Sequence, residues 1–380
     1  MARTPQRTGS PPDRPIALGR RVAEMAMELG FAAAGVAPAL GPHRPDALRD
    51  WLAAGKHGSM TWLESDLDKR LDPERELLGA KSVIMVADRY ATRADGGEER
   101  VPDGHGRIAR YARGRDYHPV IKKRLHRLVD GLRAVFPAEQ FRAFVDTAPV
   151  CEREHALRAG LGWIGKHTLI ISPTLGSYLL LGGALTTLRL EPDPEKGPEP
   201  DHCGTCTRCI DACPTGAIAP YSVDATRCIS YLTIEHRGEI AREFHTRIGD
   251  RLFGCDVCQE VCPHNAPRAL MQAPAREKVN PELAPRIRSL SLLEVVGWRA
   301  SDRRHAFTTS AMKRAGLDTI RRNAIIAAGN TSTGRARGRL LALLRLIAVD
   351  AAEPALLRRT AEQVLGRPGP SEPKSEPPAA

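Results

Sequence analysis

Residues 201–216 read DHCGTCTRCIDACPTG, which puts Cys203, Cys206, Cys209 and Cys213 within eleven positions and sets Pro214 after the last. A chain with four thiols this close must fold around whatever binds them. Disulfides, a zinc knot and iron–sulfur clusters are the three candidates. Disulfides belong to oxidising compartments, and the sequence carries no export signal. Arg20-Arg21 leads into VAEMAMELG, where Glu24 and Glu28 recur at helical spacing in place of an apolar run. No stretch approaches ~18 uninterrupted apolar residues, so no membrane span is expected. The chain is expected to be cytoplasmic, with its nine cysteines reduced and available to metal.

Structural zinc favours two separated C-x2-4-C knuckles. Here the spacing is x2, x2, x3 and then proline, the bacterial ferredoxin run whose fourth cysteine ligates a second cluster. A partner set should therefore lie downstream, and GCDVCQEVCPHN supplies Cys255, Cys258 and Cys262-Pro263. That set lacks one cysteine at its start, and Cys228 in DATRCISYL is free to provide it. By the crossover rule one 4Fe–4S cluster takes Cys203, Cys206, Cys209 and Cys262. The other takes Cys213, Cys228, Cys255 and Cys258. Cys151 is left over and reads as a small buried hydrophobe.

A bare two-cluster carrier needs far less chain than these 380 residues, so something else consumes the electrons. MARTPQRTGSPPDR (1–14) and RPGPSEPKSEPPAA (367–380) read as disordered tails, and EPDPEKGPEP (191–200) as a linker. Between them, residues 15–190 alternate helical patterns with short apolar runs: FAAAGVAP, SVIMVADRY, RAFVDTAPV, HTLIIS and YLLLGGALTTLRL. This predicts a layered α/β or α+β domain ahead of a ferredoxin-type module at 201–284, an α+β chain overall. From 285 to 366 the pattern is all helical. There IRRNAIIAAG and LRRTAEQVLG align with Gly329 and Gly366, 37 residues apart, which suggests HEAT-like repeats or an ordinary helical bundle.

The net charge is +11. Part of the excess sits in RIARYARGRDYHPVIKKRLHR, where Arg107, Arg110, Arg113 and Arg115 interleave with Tyr111 and Tyr117. Cations beside stackable rings suit a nucleic acid, and a solvated basic face is the plain alternative.

RYARGRDYH, FVDTAPVCER, AGLGWIGKHTLIISPTLGSYLLLG, CGTCTRCIDACPTGAI, TRCISYLTIE and FGCDVCQEVCPHN together resemble the epoxyqueuosine reductase family. The resemblance runs from about residue 15 through the cluster module, and more loosely through the helical tail. It implies a monomeric enzyme with base-off cob(II)alamin and two 4Fe–4S clusters, fed by an electron donor such as a flavodoxin or ferredoxin. The substrate it implies is tRNA with a GUN anticodon carrying epoxyqueuosine, which would become queuosine. Epoxide deoxygenation needs electrons held at the substrate, which corrinoid cobalt can do and side chains cannot. GRDYH carries no D-x-H-x-x-G motif, so no histidine ligand to cobalt is expected from it.

The resemblance makes Asp146 of VDTAP the catalytic acid, and a half-desolvated carboxyl at a strand end would have its pKa raised. Read from the residues alone, Asp146 looks rather like the N-cap of a helix beginning near Pro149. The resemblance further assigns cobalamin contacts to Arg70, Ala109, Asp146, Ile170, Ile171, Ser172, Leu181, Ser230, Cys255 and Asp256. It assigns substrate contacts to Asp116, His118 and Arg153. Ala109 departs from the larger or polar residue common in the family. Two rivals remain at this point: a corrinoid reductive dehalogenase, which would carry an export signal, and a non-enzymatic iron–sulfur electron carrier.

Anaerobic reconstitution should saturate at about eight irons and eight sulfides per chain. Cys151→Ala should leave that number unchanged and Cys228→Ala should lose the second cluster; saturation at four irons in the parent would remove the two-cluster assignment.

Overall fold

The computed structural model describes residues 15–91, 101–265 and 279–367, and the expected tails lie outside them apart from Arg367. The first domain is a four-stranded sheet, every neighbouring pair antiparallel, in the order β1-β2-β7-β4. Its strands are β1 (Ala33–Pro38), β2 (Ser82–Arg89), β7 (Leu179–Thr186) and β4 (Phe141–Phe144). Strand β2 is apolar on both faces because both are covered. Ile84 and Val86 join the cluster that holds Ile121, Leu125 and Leu128 of the helix Tyr117–Val135. Val83, Met85 and Ala87 face the other way, onto Ala156 of the helix Glu152–Arg158 and Leu161. The linker is pinned to this domain by an ion pair of Arg20 with Asp193 at 2.9 Å.

The three expected segments are not separate bodies. A second sheet, β10-β3-β11, takes one strand from each of them: β3 (His105–Ile108), β10 (Arg251–Phe253) and β11 (Ser289–Ser291). The pairing is parallel between β10 and β3 and antiparallel between β11 and β3. Two short hairpins, β5–β6 (Trp163–Ile164, Ile170–Ile171) and β8–β9 (Ile218–Ala219, Ser222–Val223), complete the strands of the described residues.

A buried polar network joins the cluster module to the first domain. Asn265 donates to Ser177 Oγ and to the Gln259 carbonyl, both at 2.8 Å, and accepts from the Ser177 amide at 2.7 Å. Gln259 in turn bonds the Tyr90 hydroxyl. Gly176 is required here: its φ is +72°, and a Cβ would lie 2.2 Å from Asn265 Oδ1.

The last three helices are Leu317–Thr331, Gly334–Val349 and Ala355–Leu365. The aligned segments fall on the first and third, which pack together so closely that a Cβ on Gly329 would come within 2.6 Å of Val364. The first is buried along most of its length and carries the fully buried Arg322 and Asn323. Arg322 donates to the carbonyls of Leu232, His236 and Gly238 at 2.6–2.9 Å, capping the helix Ile229–Ile234 that follows Cys228. Asn323 donates to Thr233 and Leu252.

The basic stretch differs from the expectation of a nucleic-acid face. Arg110 and Arg113 are buried, at 5% and 4% exposure. Arg110 pairs with Glu260 at 3.3 Å and lies over the Tyr178 ring, and Arg113 donates to the Ile108 carbonyl at 2.7 Å. Arg107 pairs with Asp250 and Arg115 with Glu282. Arg110 and Arg113 hold segments of the chain together from the interior, Arg107 does so half-buried, and only the Arg115–Glu282 pair of these four is exposed.

Replacing Arg322 by Met should cost about 2–4 kcal/mol in denaturant unfolding, since three buried carbonyls lose their donor. Arg110→Ala should cost about 2–4 kcal/mol by leaving Glu260 without its partner. Neither change should alter the salt dependence of RNA retention; a flattened salt series in the Arg110 variant would restore that residue to an RNA-facing role.

Candidate functional site

A cavity of about 490 Å³ lies between the sheet and the cluster module. One wall is apolar, formed by Leu179, Leu180 and Leu181 of β7 with Ile170. The opposite wall carries Cys213, Cys228, Cys255 and Cys258 with Ser230 and Asp256. Tyr111, Tyr117, Asp146, Glu152 and Arg153 also line it.

The thiols fall into two groups by what they face. Cys262 senses Cys203, Cys209 and Cys206, Cys258 senses Cys255 and Cys228 and, more weakly, Cys209 across the divide, and Cys228 senses Cys213. All four of the second group line the cavity, and none of the first does. Burial pushes the Cys255 thiol up to about 12 and Cys262 up to about 11, so each sulfur is a neutral thiol without a metal. Iron binding must displace those protons, and donor sets dominated by sulfur suit clusters rather than a hard cation.

Asp146 is no helix cap. The helix begins at Glu152 with Cys151 at its N-cap, and Asp146 sits alone with φ +56°, an uncommon left-handed backbone for a residue other than glycine. Its amide donates to Glu152 Oε1 at 2.7 Å. Its Oδ2 accepts from the Tyr117 hydroxyl at 2.5 Å and lies 3.4 Å from His118 Nε2. The side chain is 58% accessible although protein surrounds it on most sides, because that access opens into the cavity. Burial pushes its pKa up, but the bonds from His118 and Tyr117 outweigh it and hold the carboxyl below its ordinary range. This corrects the expected upward shift: the neighbours of Asp146 are donors that prefer its charged form.

His118 stacks on Tyr117 at 4.1 Å, and its Nδ1 lies 2.7 Å from Asp116 Oδ1. Burial opposes its charge, yet the bonds to Asp116 and Asp146 win and raise it to about 9. Asp116 caps the helix Tyr117–Val135 and pairs with Lys313. Arg153 donates to the Thr168 carbonyl at 2.6 Å on the cavity wall.

Ile170, Leu181, Ser230, Cys255 and Asp256 reach the cavity. Asp256 accepts from the Arg110 amide at 2.8 Å, and burial raises it to about 6. Ile171 instead packs with Trp163 and Cys262, Ser172 bonds the Leu175 amide, and buried Ala109 pairs its amide with the Phe253 carbonyl. Arg70 stands behind the wall, its charge beside Cys151 and Glu152. Glu152 is the residue the sequence did not reveal. Burial, then the neighbouring Asp146, push it up to about 8, and no periodicity links it to Asp146.

Comparison with known proteins places this geometry. The model described as epoxyqueuosine reductase QueG matches residues 70–147, and a 4Fe-4S double cluster binding domain matches 202–265. The chain is 39% identical to the epoxyqueuosine reductase of Pseudomonas aeruginosa, covering 84% of this chain and 87% of that one. It is likewise 39% identical to that of Xanthomonas campestris, covering 83% and 88%. A crystal structure of epoxyqueuosine reductase with an epoxyqueuosine-modified tRNA-Tyr stem loop matches with a TM-score of 0.80 at 30% identity, covering 93% of this chain and 90% of that one. The chain belongs to the epoxyqueuosine reductase family.

Proposed function

We propose that this protein removes the epoxide oxygen of epoxyqueuosine at the wobble position of tRNA and leaves queuosine. The observation that carries the reading is one cavity walled by a complete group of four cysteines and by the Asp146 carboxyl. Electrons and a proton can therefore meet at the same bound nucleoside. The overall change takes two electrons and two protons, breaks both C–O bonds of the epoxide, forms a C=C bond and releases water.

Cys203, Cys206, Cys209 and Cys262 would hold one 4Fe–4S cluster, and Cys213, Cys228, Cys255 and Cys258 the other. The second group lines the cavity, so a cluster held there would supply electrons to what the cavity binds. Cobalamin fits the same space: the leucine wall offers an apolar slot for a flat ring, and Ser230 and Asp256 flank the second group of thiols. When bound, the corrinoid supplies a centre that accepts single electrons and delivers two to carbon–oxygen chemistry. Both ring nitrogens of His118 face Asp116 and Asp146, so that segment would offer cobalt no imidazole ligand.

Asp146 is the group placed to hand a proton to the leaving oxygen, with Tyr117 orienting its carboxyl and Glu152 anchoring its backbone. Arg153 lines the cavity where the nucleoside would be held, and the Asp116–His118 pair stands behind Asp146. A monomer acting with a flavodoxin or ferredoxin completes the reading, with the last three helices taken as a short HEAT-like stack.

Conversion of epoxyqueuosine to queuosine in a tRNA anticodon stem-loop, with a chemical reductant and saturating cobalamin, is the decisive assay. Asp146→Asn should slow it by about 10²–10⁴-fold while folding and iron content survive. An Asn variant that turns over like the parent would remove Asp146 from the mechanism.

A further inference from the structure

Asp146 is held as a carboxylate at neutral pH, so it carries no proton of its own to give. The geometry around it shows where one is kept. His118 bridges two carboxylates, with Nδ1 2.7 Å from Asp116 Oδ1 and Nε2 3.4 Å from Asp146 Oδ2. Asp116 is in turn fixed on the far side: its amide donates to the Thr309 carbonyl at 2.7 Å and its carboxylate pairs with Lys313. We propose that His118 is the proton store of the reaction: its Nε2–H feeds Asp146, which passes the proton to the departing epoxide oxygen, while Asp116 fixes the imidazole so that Nε2 gives it up.

The proposal rests on the epoxide-reduction reading above. His118 acts through Asp146 and is therefore a positioning and proton-holding residue. The chemistry follows from the two ring nitrogens being inequivalent. An anionic Asp116 keeps the Nδ1 proton in place, so the neutral imidazole left after transfer has its lone pair on Nε2, facing Asp146. Among the described residues the charges facing the pair are Asp116 and Lys313 on one side, and Arg314 and Glu152 around Asp146. Tyr117 stacks on the ring and donates to the same Asp146 oxygen.

Substrate entry supplies the trigger. In the open cavity water supports the imidazolium–carboxylate pair. A nucleoside that fills the space removes that water, which penalises two separated charges and favours the neutral imidazole and protonated carboxyl. The proton then sits on Asp146 beside the leaving oxygen. The second proton of the water released comes from solvent, and solvent recharges His118 after product leaves.

Two measurements test this. The first is the pH dependence of kcat/KM for the tRNA stem-loop on the cluster- and cobalamin-loaded protein, which reports protonation in the substrate-free enzyme. The parent should lose rate as pH rises through about 9, where His118 gives up its charge. His118→Gln keeps a hydrogen-bonding side chain without a transferable proton. It should lower kcat by about 10²-fold and abolish that alkaline limb. A variant that raises KM alone, with kcat and the alkaline limb intact, would show that His118 only grips the substrate and would overturn the proposal. The second measurement is histidine ring titration by NMR on 13C-labelled protein without substrate. The resonance missing from His118→Gln should titrate above pH 8 in the parent and fall toward the ordinary histidine range in Asp146→Asn. A parent value at or below about 6.5 would equally overturn it. A parent that converts no epoxyqueuosine removes the reading of function as well, whereas a converting parent matched by His118→Gln removes the proton store alone.

Discussion

The site depends on the buried network that ties Gln259 and Asn265 to Tyr90 and Ser177. These two residues lie within a few positions of Cys258 and Cys262, so the network fixes the second cysteine segment against the end of β2 and the start of β7, the central strands of the sheet. Every contact in it is a hydrogen bond between side chains or to backbone, all buried, and each is satisfied by another member. Such a network is costly to disturb in part, which is what a rigid wall requires. The cavity is then the space left between two surfaces that cannot slide past each other.

Much of this was legible in the sequence. Thiol spacing is a local signal with a narrow meaning, and it pointed to a two-cluster module, in keeping with the double cluster binding domain that matches 202–265. The sheet strands were equally plain, because runs such as SVIMVADR are apolar on both faces and the structure covers both. What stayed hidden was pairing between distant positions. Arg110 and Arg113 looked like an exposed basic face because Glu260, Tyr178 and the Ile108 carbonyl cannot be read as their partners from composition. Asp146 looked like a cap because the sequence does not show that the chain turns through a left-handed residue and starts its helix six positions later. Glu152 carried no signal at all, since its role comes from one hydrogen bond to the Asp146 amide.

The electrostatics of the site share one pattern. Tyr117, His118 and Arg314 all favour a charged Asp146, while the leucines of β7 line the same cavity with nothing polar. Charge is therefore concentrated at one end of the cavity and sulfur along another face. A ligand placed between them meets proton chemistry on one side and electron chemistry on the other. Glu152 adds to this by anchoring the strained backbone of Asp146, so that its carboxyl is held out toward the cavity rather than relaxed into the loop.

The sheet built from β3, β10 and β11 has a consequence for how the molecule forms. Its central strand, at residues 105–108, is made early, yet its neighbours come from residues 251–253 and 289–291. During synthesis the strand waits with both edges unpaired while more than a hundred residues are added, and closing loops of that length is slow. Both cysteine segments emerge before the second neighbour does. All eight cysteines of the two groups are therefore synthesised before the three-stranded sheet can be completed.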